Sequence, residues 1–252
     1  MRMTLRLDKY LTEAGVGTRS EVKKLIKAKQ ITVNGVIVTR PEAKVDEGDA
    51  VCLRGERVQY AAFEYYLFHK PAGCVCATED RDHKTVMDYL TDTIRSDLFP
   101  VGRLDIDTEG LLLITNDGAL AHELLSPARH VAKTYFARVR GIVTDADVNL
   151  FKNGVDIGEK KLTKPAELVI LNTFAQEGEA ASASEILLTI TEGKFHQVKR
   201  MFAAVGKEVL YLKRLSMGTL GLDEKLRPGE YRTLTEKEIA MLKNGKWEEA
   251  DE

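Results

Sequence analysis

Three carboxylates, Asp105, Asp107 and Glu109, stand two residues apart in FPVGRLDIDTEGLLLITNDG (99–118), directly before an unbroken apolar run. Acids at that spacing have several chemical uses. Asp105-x-Asp107-x-Glu109-Gly110 begins like a calcium loop with glycine at its sixth position. The twelfth position, where such a loop needs glutamate, is Asn116, and positions seven to eleven are LLLIT, which argues against calcium. A glycosidase carboxylate pair or a magnesium nuclease could also draw on the cluster. Neither accounts for Arg103 or for the basic segments elsewhere in the chain. Taken alone, the acids are most simply a surface turn capping the strand LLLIT.

The chain that must position them has 252 residues, 44% hydrophobic and 30% charged, enough for two globular domains. Lys plus Arg (37) against Asp plus Glu (39) gives a formal charge of -2, so nothing global points to nucleic acid. The charge is uneven. Residues 1–40 hold nine basic residues against three acidic ones, which leaves the remainder net acidic. Cys52, Cys74 and Cys76 form no zinc-type spacing, and Cys74-Val-Cys76 reads as a pair of half-buried strand residues. No P-loop, GxGxxG or metal cluster is present. With no leader or long apolar span, the expected home is the cytoplasm, with no membrane association.

Leu7, Tyr10, Leu11 and Ala14 recur at helical spacing up to Gly15. Thr18-Arg-Ser-Glu21 is a capping box for a second helix, with Val22, Leu25 and Ile26 on its apolar face and Lys23, Lys24, Lys27 and Lys29 largely on the rest. ITVNGVIV then reads as a hairpin turning at Asn34-Gly35, and PEAKVDEGDAVCL adds a further strand. A solvated lysine face is the plain reading of the charge run, and two small helices feeding a hairpin make it an RNA-binding candidate. Around Arg54 to Tyr60 the pattern weakens, and a linker is expected there.

Beyond it, strand patterns dominate: YYLFHK, CVCAT, LLLITN, KTYFARVRG, AELVILN, SEILLTITEG and EVLYLKRLSMG. Helices are expected near Thr85 to Leu90, over Ala119 to Leu125, after Thr144, over His196 to Val205, and from the capping box at Thr235 and Glu238. QEGEAASASE (176–185) reads as a flexible hairpin loop and WEEADE as a disordered tail. The expected class is α+β, a small RNA-binding domain (1–60) followed by a domain with a large mixed, mostly antiparallel sheet flanked by helices (61–245), then a tail (246–252).

RLDKYLTEAGVGTRSEVKKLIKAKQITVNGVIV resembles the αL, S4-like RNA-binding module, although Lys29-Gln30 stands where such modules often carry glycine. VGRLDIDTEGLLLITNDG resembles the active-site motif of the RsuA-type rRNA pseudouridine synthases. KTYFARVRG and EGKFHQVKRMFAAVG match that family in the expected order, and FHKPAGCVCA extends the resemblance over nearly the whole chain. The His196-Gln197 form of the third motif resembles the branch acting on small-subunit (16S) rRNA more than the large-subunit branch, which tends to carry Asn-Arg-Gln.

The resemblance implies a cofactor-independent isomerase that converts a specific uridine to pseudouridine. It makes Asp105 the catalytic residue, with Asp107 and Glu109 as supports. The carboxylate could attack C1' of the ribose, take a proton at C2', or attack C6 of the base. A carboxylate in a pocket needs a cation to stay charged, and the resemblance assigns this to Lys199, with Arg200 as substitute. Tyr135 is implied to stack on the uracil, and Arg103 to fill the space of an extruded nucleotide or grip its phosphate. RNA contacts are expected from Arg19, Lys23, Lys24 and Lys27 of the first domain and from Lys133, Lys194, His196, Gln197, Arg200, Lys213 and Arg214 of the second. The implied partner is small-subunit rRNA or its assembly intermediate, bound by a monomer with no metal or cofactor. A large-subunit enzyme and a non-catalytic assembly factor are the competing readings.

Overall fold

Capping chemistry marks the start of the second helix where the sequence places it. In the computed structural model, Thr18 donates its amide to Glu21 at 2.8 Å and accepts the Glu21 amide at 3.4 Å, opening helix α2 (Arg19–Lys27) after α1 (Leu7–Glu13). The structure describes residues 4–46, 48–174 and 182–245. Two units divide them: one runs to Glu64 and takes in Leu90–Phe99, the other holds Tyr65–Tyr89 and the chain from Pro100 onward.

In the first unit, β1 (Thr4–Arg6) pairs with β4 (Lys44–Asp46), and a second sheet orders β3 (Val36–Ile37), β2 (Ile31–Val33), β5 (Val51–Leu53) and β6 (Glu56–Arg57). Asn34 and Gly35 take φ of 52° and 81°, the double left-handed turn that a two-residue hairpin needs. Leu7, Leu11, Val22, Ile26, Ile31 and Val51 are fully buried and form its core.

The expected linker at Arg54 to Tyr60 is instead part of this unit. Arg54-Gly55 turns β5 into β6, and Tyr60 stacks on Tyr10 with centroids 4.4 Å apart. Two-residue strands are too short to show an alternating pattern, which is why the segment reads as patternless. The return of Leu90–Phe99 was equally silent in the sequence. Arg95, 5% exposed, pairs with Glu13 at 2.8 Å and with both Asp97 oxygens, while the Glu64 carboxylate takes the amides of Ile94 and Arg95.

The second unit is built on a large sheet. Its strands are β7 (Tyr65–Lys70), β9 (Glu109–Thr115), β10 (Lys133–Arg140), β11 (Glu167–Phe174), β12 (Ala183–Ile190), β13 (Glu208–Met217), β14 (Leu220–Gly221) and β15 (Tyr231–Thr233), with β8 (Phe99–Pro100) at the point where the chain re-enters the unit. The main path is β11-β12-β10-β13-β9-β7-β15, antiparallel at every step except β13 to β9. This is the mixed, mostly antiparallel sheet expected from the sequence, carrying α3 (Gly118–Leu125), α4 (Asp145–Asn153), α5 (Gln197–Ala204) and α6 (Glu236–Lys243). Helices α4 and α5 meet through Phe151 and Phe202, both fully buried with ring centroids 5.0 Å apart.

The parallel step is a seam of two residue pairs, Lys213 with Glu109 and Arg214 with Gly110. Gly110 sits at φ 107°, and a Cβ there would meet the Arg214 carbonyl oxygen at 2.2 Å. Only glycine lets the two halves of the sheet close.

Two local expectations are corrected. CVCAT is not a strand: the chain leaves β7 in a turn at Pro71-Ala-Gly73, and Val75 then makes one isolated bridge to Thr85. The helix expected near Thr85 to Leu90 is a single 3-10 turn over Met87–Tyr89. Residues 176–181 of the expected loop, and the expected tail at 246–252, lie outside the described residues. Among the described residues no helix is long and apolar enough to cross a membrane.

Candidate active site

The carboxylate stretch forms a turn, Asp105 to Thr108, that enters β9. Its backbone is held from beneath by Lys70, which is fully buried and donates to the carbonyls of Thr108 (2.9 Å), Pro71 (3.0 Å) and Ile106 (3.3 Å). Gly73 N–H adds a bond of 2.7 Å to the Ile106 carbonyl, and the Leu104 amide donates to Cys76 Sγ at 3.3 Å. A buried ammonium whose hydrogen bonds go to carbonyls is costly, and burial pulls the Lys70 pKa down against the opposing fields of Asp107 and Asp105. That cost fixes a surface turn in one conformation. Sequence reasoning missed Lys70, although a charged residue ending the fully buried strand YYLFHK was a signal for it.

The three acids have three different partners. Asp105 lies 3.3 Å from Lys199 Nζ and 3.5 Å from His196 Nε2, and its side chain is 24% exposed. Asp107 takes the same Lys199 ammonium with both oxygens, at 2.6 and 2.8 Å. Burial would raise the Asp107 pKa, but the Lys199 hydrogen bond and charge outweigh it and hold the group below the usual carboxylate range. Lys199 responds in kind: burial pulls it down, and the bond to Asp107 with the field of Asp105 leaves it raised. Glu109 accepts from Tyr211 at 2.7 Å, and burial together with this donation pushes the Tyr211 hydroxyl up. With the acids divided in this way, no group of three or more His, Cys, Asp or Glu among the described residues could hold a metal.

Asp105 opens into a cleft of about 90 Å³. That is well under the ~300 Å³ lower end of small-molecule sites, so it has room for little more than one flat ring. Arg103, Asp105, Tyr135, Lys194, His196 and Gln197, all singled out in the sequence, line it together with Leu104, Thr108, Ile190 and Leu212. Tyr135 stands on β10, 7% exposed, its ring at once part of the core and part of the cleft wall. Arg103 is exposed and hydrogen-bonded to no described side chain. Thr108 Oγ1 is buried and finds no partner among the described residues, which leaves a donor for whatever enters.

Other expected RNA contacts sit differently. Arg200, the substitute cation, reaches Glu159 at 2.8 Å and the carbonyls of Phe195 and Ile157, not Asp105. Gln197 is 4% exposed and bonds Glu192 and the Lys194 amide, both at 2.9 Å, so it braces the turn ahead of α5. Arg214 is 2% exposed, with Nε on the Leu111 carbonyl, because its strand face points into the core. Lys133 is 8% exposed on the buried face of β10 and donates to the Val131 carbonyl at 2.9 Å, so it does not present its charge to a phosphate. By contrast Arg19, Lys23, Lys24 and Lys27 are all exposed on α2 of the first unit.

Burial, with repulsion from Arg214 and Lys164, pulls the Lys133 pKa down from 10.5 to about 8. The unfolded chain therefore holds this proton between about pH 8 and 10.5 while the folded chain has released it, so stability rises with pH in that window. Below it both states are charged and folding carries the full cost. In urea unfolding, wild type is expected to gain ~2 kcal/mol from pH 7.5 to 9.5 relative to Lys133→Met. A pH-independent difference between the two would contradict the burial argument.

Comparison with known proteins covers both units. A model of the RNA pseudouridylate synthase family matches residues 64–204, and the S4 domain model matches residues 5–51. The chain is 47% identical over 240 residues to the uncharacterized RNA pseudouridine synthase YtzG of Bacillus subtilis, covering 94% of this chain and 98% of that one. It is 41% identical to the ribosomal small subunit pseudouridine synthase A of Escherichia coli, covering 94% of this chain and all of that one. A solved pseudouridylate synthase superposes with a TM-score of 0.65 at 38% identity, over 94% of this chain and 99% of that one.

Proposed function

Since the chain belongs to the RNA pseudouridylate synthase family and is an isomerase of that kind, we propose that it converts a uridine of small-subunit (16S) rRNA to pseudouridine, with Asp105 as the reacting carboxylate. The observation that carries the reading is the one-ring cleft that sets Asp105 beside the Tyr135 ring, with Lys199 Nζ at 3.3 Å. In the reaction the bond from C1' to N1 breaks, the uracil turns, and C1' rejoins at C5. The proton on C5 is lost and N1 gains one, so atoms balance with no redox carrier or nucleotide. An ionised carboxylate next to the ribose can start this by attack or by proton abstraction. The Tyr135 face holds the detached ring near C1' and lets it rotate, which directional hydrogen bonds would resist.

Inside folded RNA the uridine must leave its stack to reach Asp105, and exposed Arg103 at the cleft edge is suited to the vacated space. Non-specific grip falls to the first unit, whose Arg19, Lys23, Lys24 and Lys27 offer an exposed basic helix face. The small-subunit assignment rests on several relatives named for that subunit at 40–41% identity and on His196-Gln197 in the third motif. An rRNA substrate implies a cytoplasmic enzyme, and the proposed active form is a monomer.

Carbodiimide adducts of pseudouridine, read as primer-extension stops, test the assignment. Small-subunit transcript, or its partly assembled particle, is expected to gain one stop after incubation with the protein, and large-subunit transcript none. A stop only in the large-subunit RNA would move the substrate to the other branch, and none in any RNA would favour a binding factor.

A further inference from the structure

Phe195 is 71% exposed, the most exposed large apolar side chain among the described residues. It is neither loose nor isolated. Its ring lies on that of His196, with centroids 3.8 Å apart and planes 20° from parallel. Its carbonyl accepts from Arg200 at 3.1 Å, which pins the backbone. His196 takes a left-handed φ of 48°, a conformation that costs a non-glycine residue about 1 kcal/mol, and thereby brings Nε2 within 3.5 Å of Asp105. The strain and the water-facing ring have no use in the core. They build a rigid two-ring step at the rim of the cleft.

We propose that Phe195, backed by His196, stacks on the base adjacent to the uridine being isomerised. The inference rests on the reading of the cleft as a uridine site and adds the recognition of the neighbouring nucleotide. An extruded uridine leaves its neighbour with one bare face, and an aromatic plane at the cleft rim replaces the lost stack for any base. The surroundings fit an RNA strand passing over the step. Lys194, next in sequence, lines both the cleft and an adjoining depression with Glu159, Lys160 and Lys161; its own ammonium pairs with Glu159 at 3.2 Å, so the exposed Lys160 and Lys161 are the ammonium groups within reach of flanking phosphates.

The test uses the full chain with small-subunit rRNA transcript. Phe195→Ala is expected to lower kcat/KM for tritium release from C5-labelled uridine by about tenfold, while Phe195→Tyr stays within about twofold of wild type. Because the ring is exposed, neither change should move the urea midpoint. In a second protein, Phe195→Trp with Trp247→Phe leaves one tryptophan, at the step, and its emission is expected to be quenched when the transcript binds. No quenching, or an unchanged kcat/KM for Phe195→Ala, would overturn the proposal. If wild type releases no tritium from any RNA, the isomerase reading fails separately, and the quenching result still reports whether the step meets a base.

Discussion

Asp105→Asn is expected to lower single-turnover pseudouridine formation by ~10⁴-fold or more while leaving the folded protein intact. The amide has the carboxylate's shape but can neither attack a carbon nor hold an abstracted proton. Structure should survive because the cluster does not depend on Asp105 for its charge balance. Lys199 keeps both Asp107 oxygens, at 2.6 and 2.8 Å, and Lys70 still holds the turn through three carbonyls. A partly exposed pair at 3.3 Å, such as Asp105 with Lys199, is worth only ~1 kcal/mol, so the urea midpoint should barely move. A variant that kept more than about a tenth of wild-type activity would remove Asp105 from the chemistry.

Gly110→Ala should act in the opposite way, through the fold. Its Cβ would stand 2.2 Å from the Arg214 carbonyl oxygen and 2.7 Å from the Arg214 nitrogen, both backbone atoms that cannot swing aside. A φ of 107° is unfavourable for alanine in addition. The seam between β9 and β13 has only two residue pairs, so it has little else to resist separation. A loss of ~3 kcal/mol or more in urea unfolding is expected, together with loss of activity, because β9 carries the acidic turn. Wild-type stability in this variant would show that the strands close without glycine.

Much of the site was legible because it is written in linear motifs. The acids of the turn, Tyr135 in KTYFARVRG and Lys199 in HQVKR each sit in a stretch whose order and spacing carry the family pattern, and the cleft brings Asp105 and Tyr135 together with Lys199 3.3 Å from Asp105. What stayed hidden is contact over long sequence separation. Tyr211 meets Glu109 from 102 positions away, and Lys70 supports Thr108 from 38. Neither residue has a local pattern that names its partner. The division of Lys199 between Asp105 and Asp107 is likewise a matter of a few tenths of an ångström, which spacing does not encode.

In the fold, capping boxes and the Asn34-Gly35 turn were readable because each is a local hydrogen-bond solution. The two-residue strand Glu56–Arg57 and the return of Arg95 to the first unit were not, since one is shorter than any period and the other is a single buried charge finding one distant acid, Glu13. The same limit explains Lys133, Gln197 and Arg214. Basic or polar type suggested RNA, and only strand and helix facing shows them turned inward.

Tritium release from small-subunit rRNA labelled at C5 of uridine, measured in EDTA, tests the central claim most directly. C5 must give up its hydrogen when it becomes the glycosidic carbon. The account predicts stoichiometric release, about one tritium per transcript molecule, with the RNA chain uncut. RNA cleavage that EDTA abolishes, or binding without any release, would contradict it.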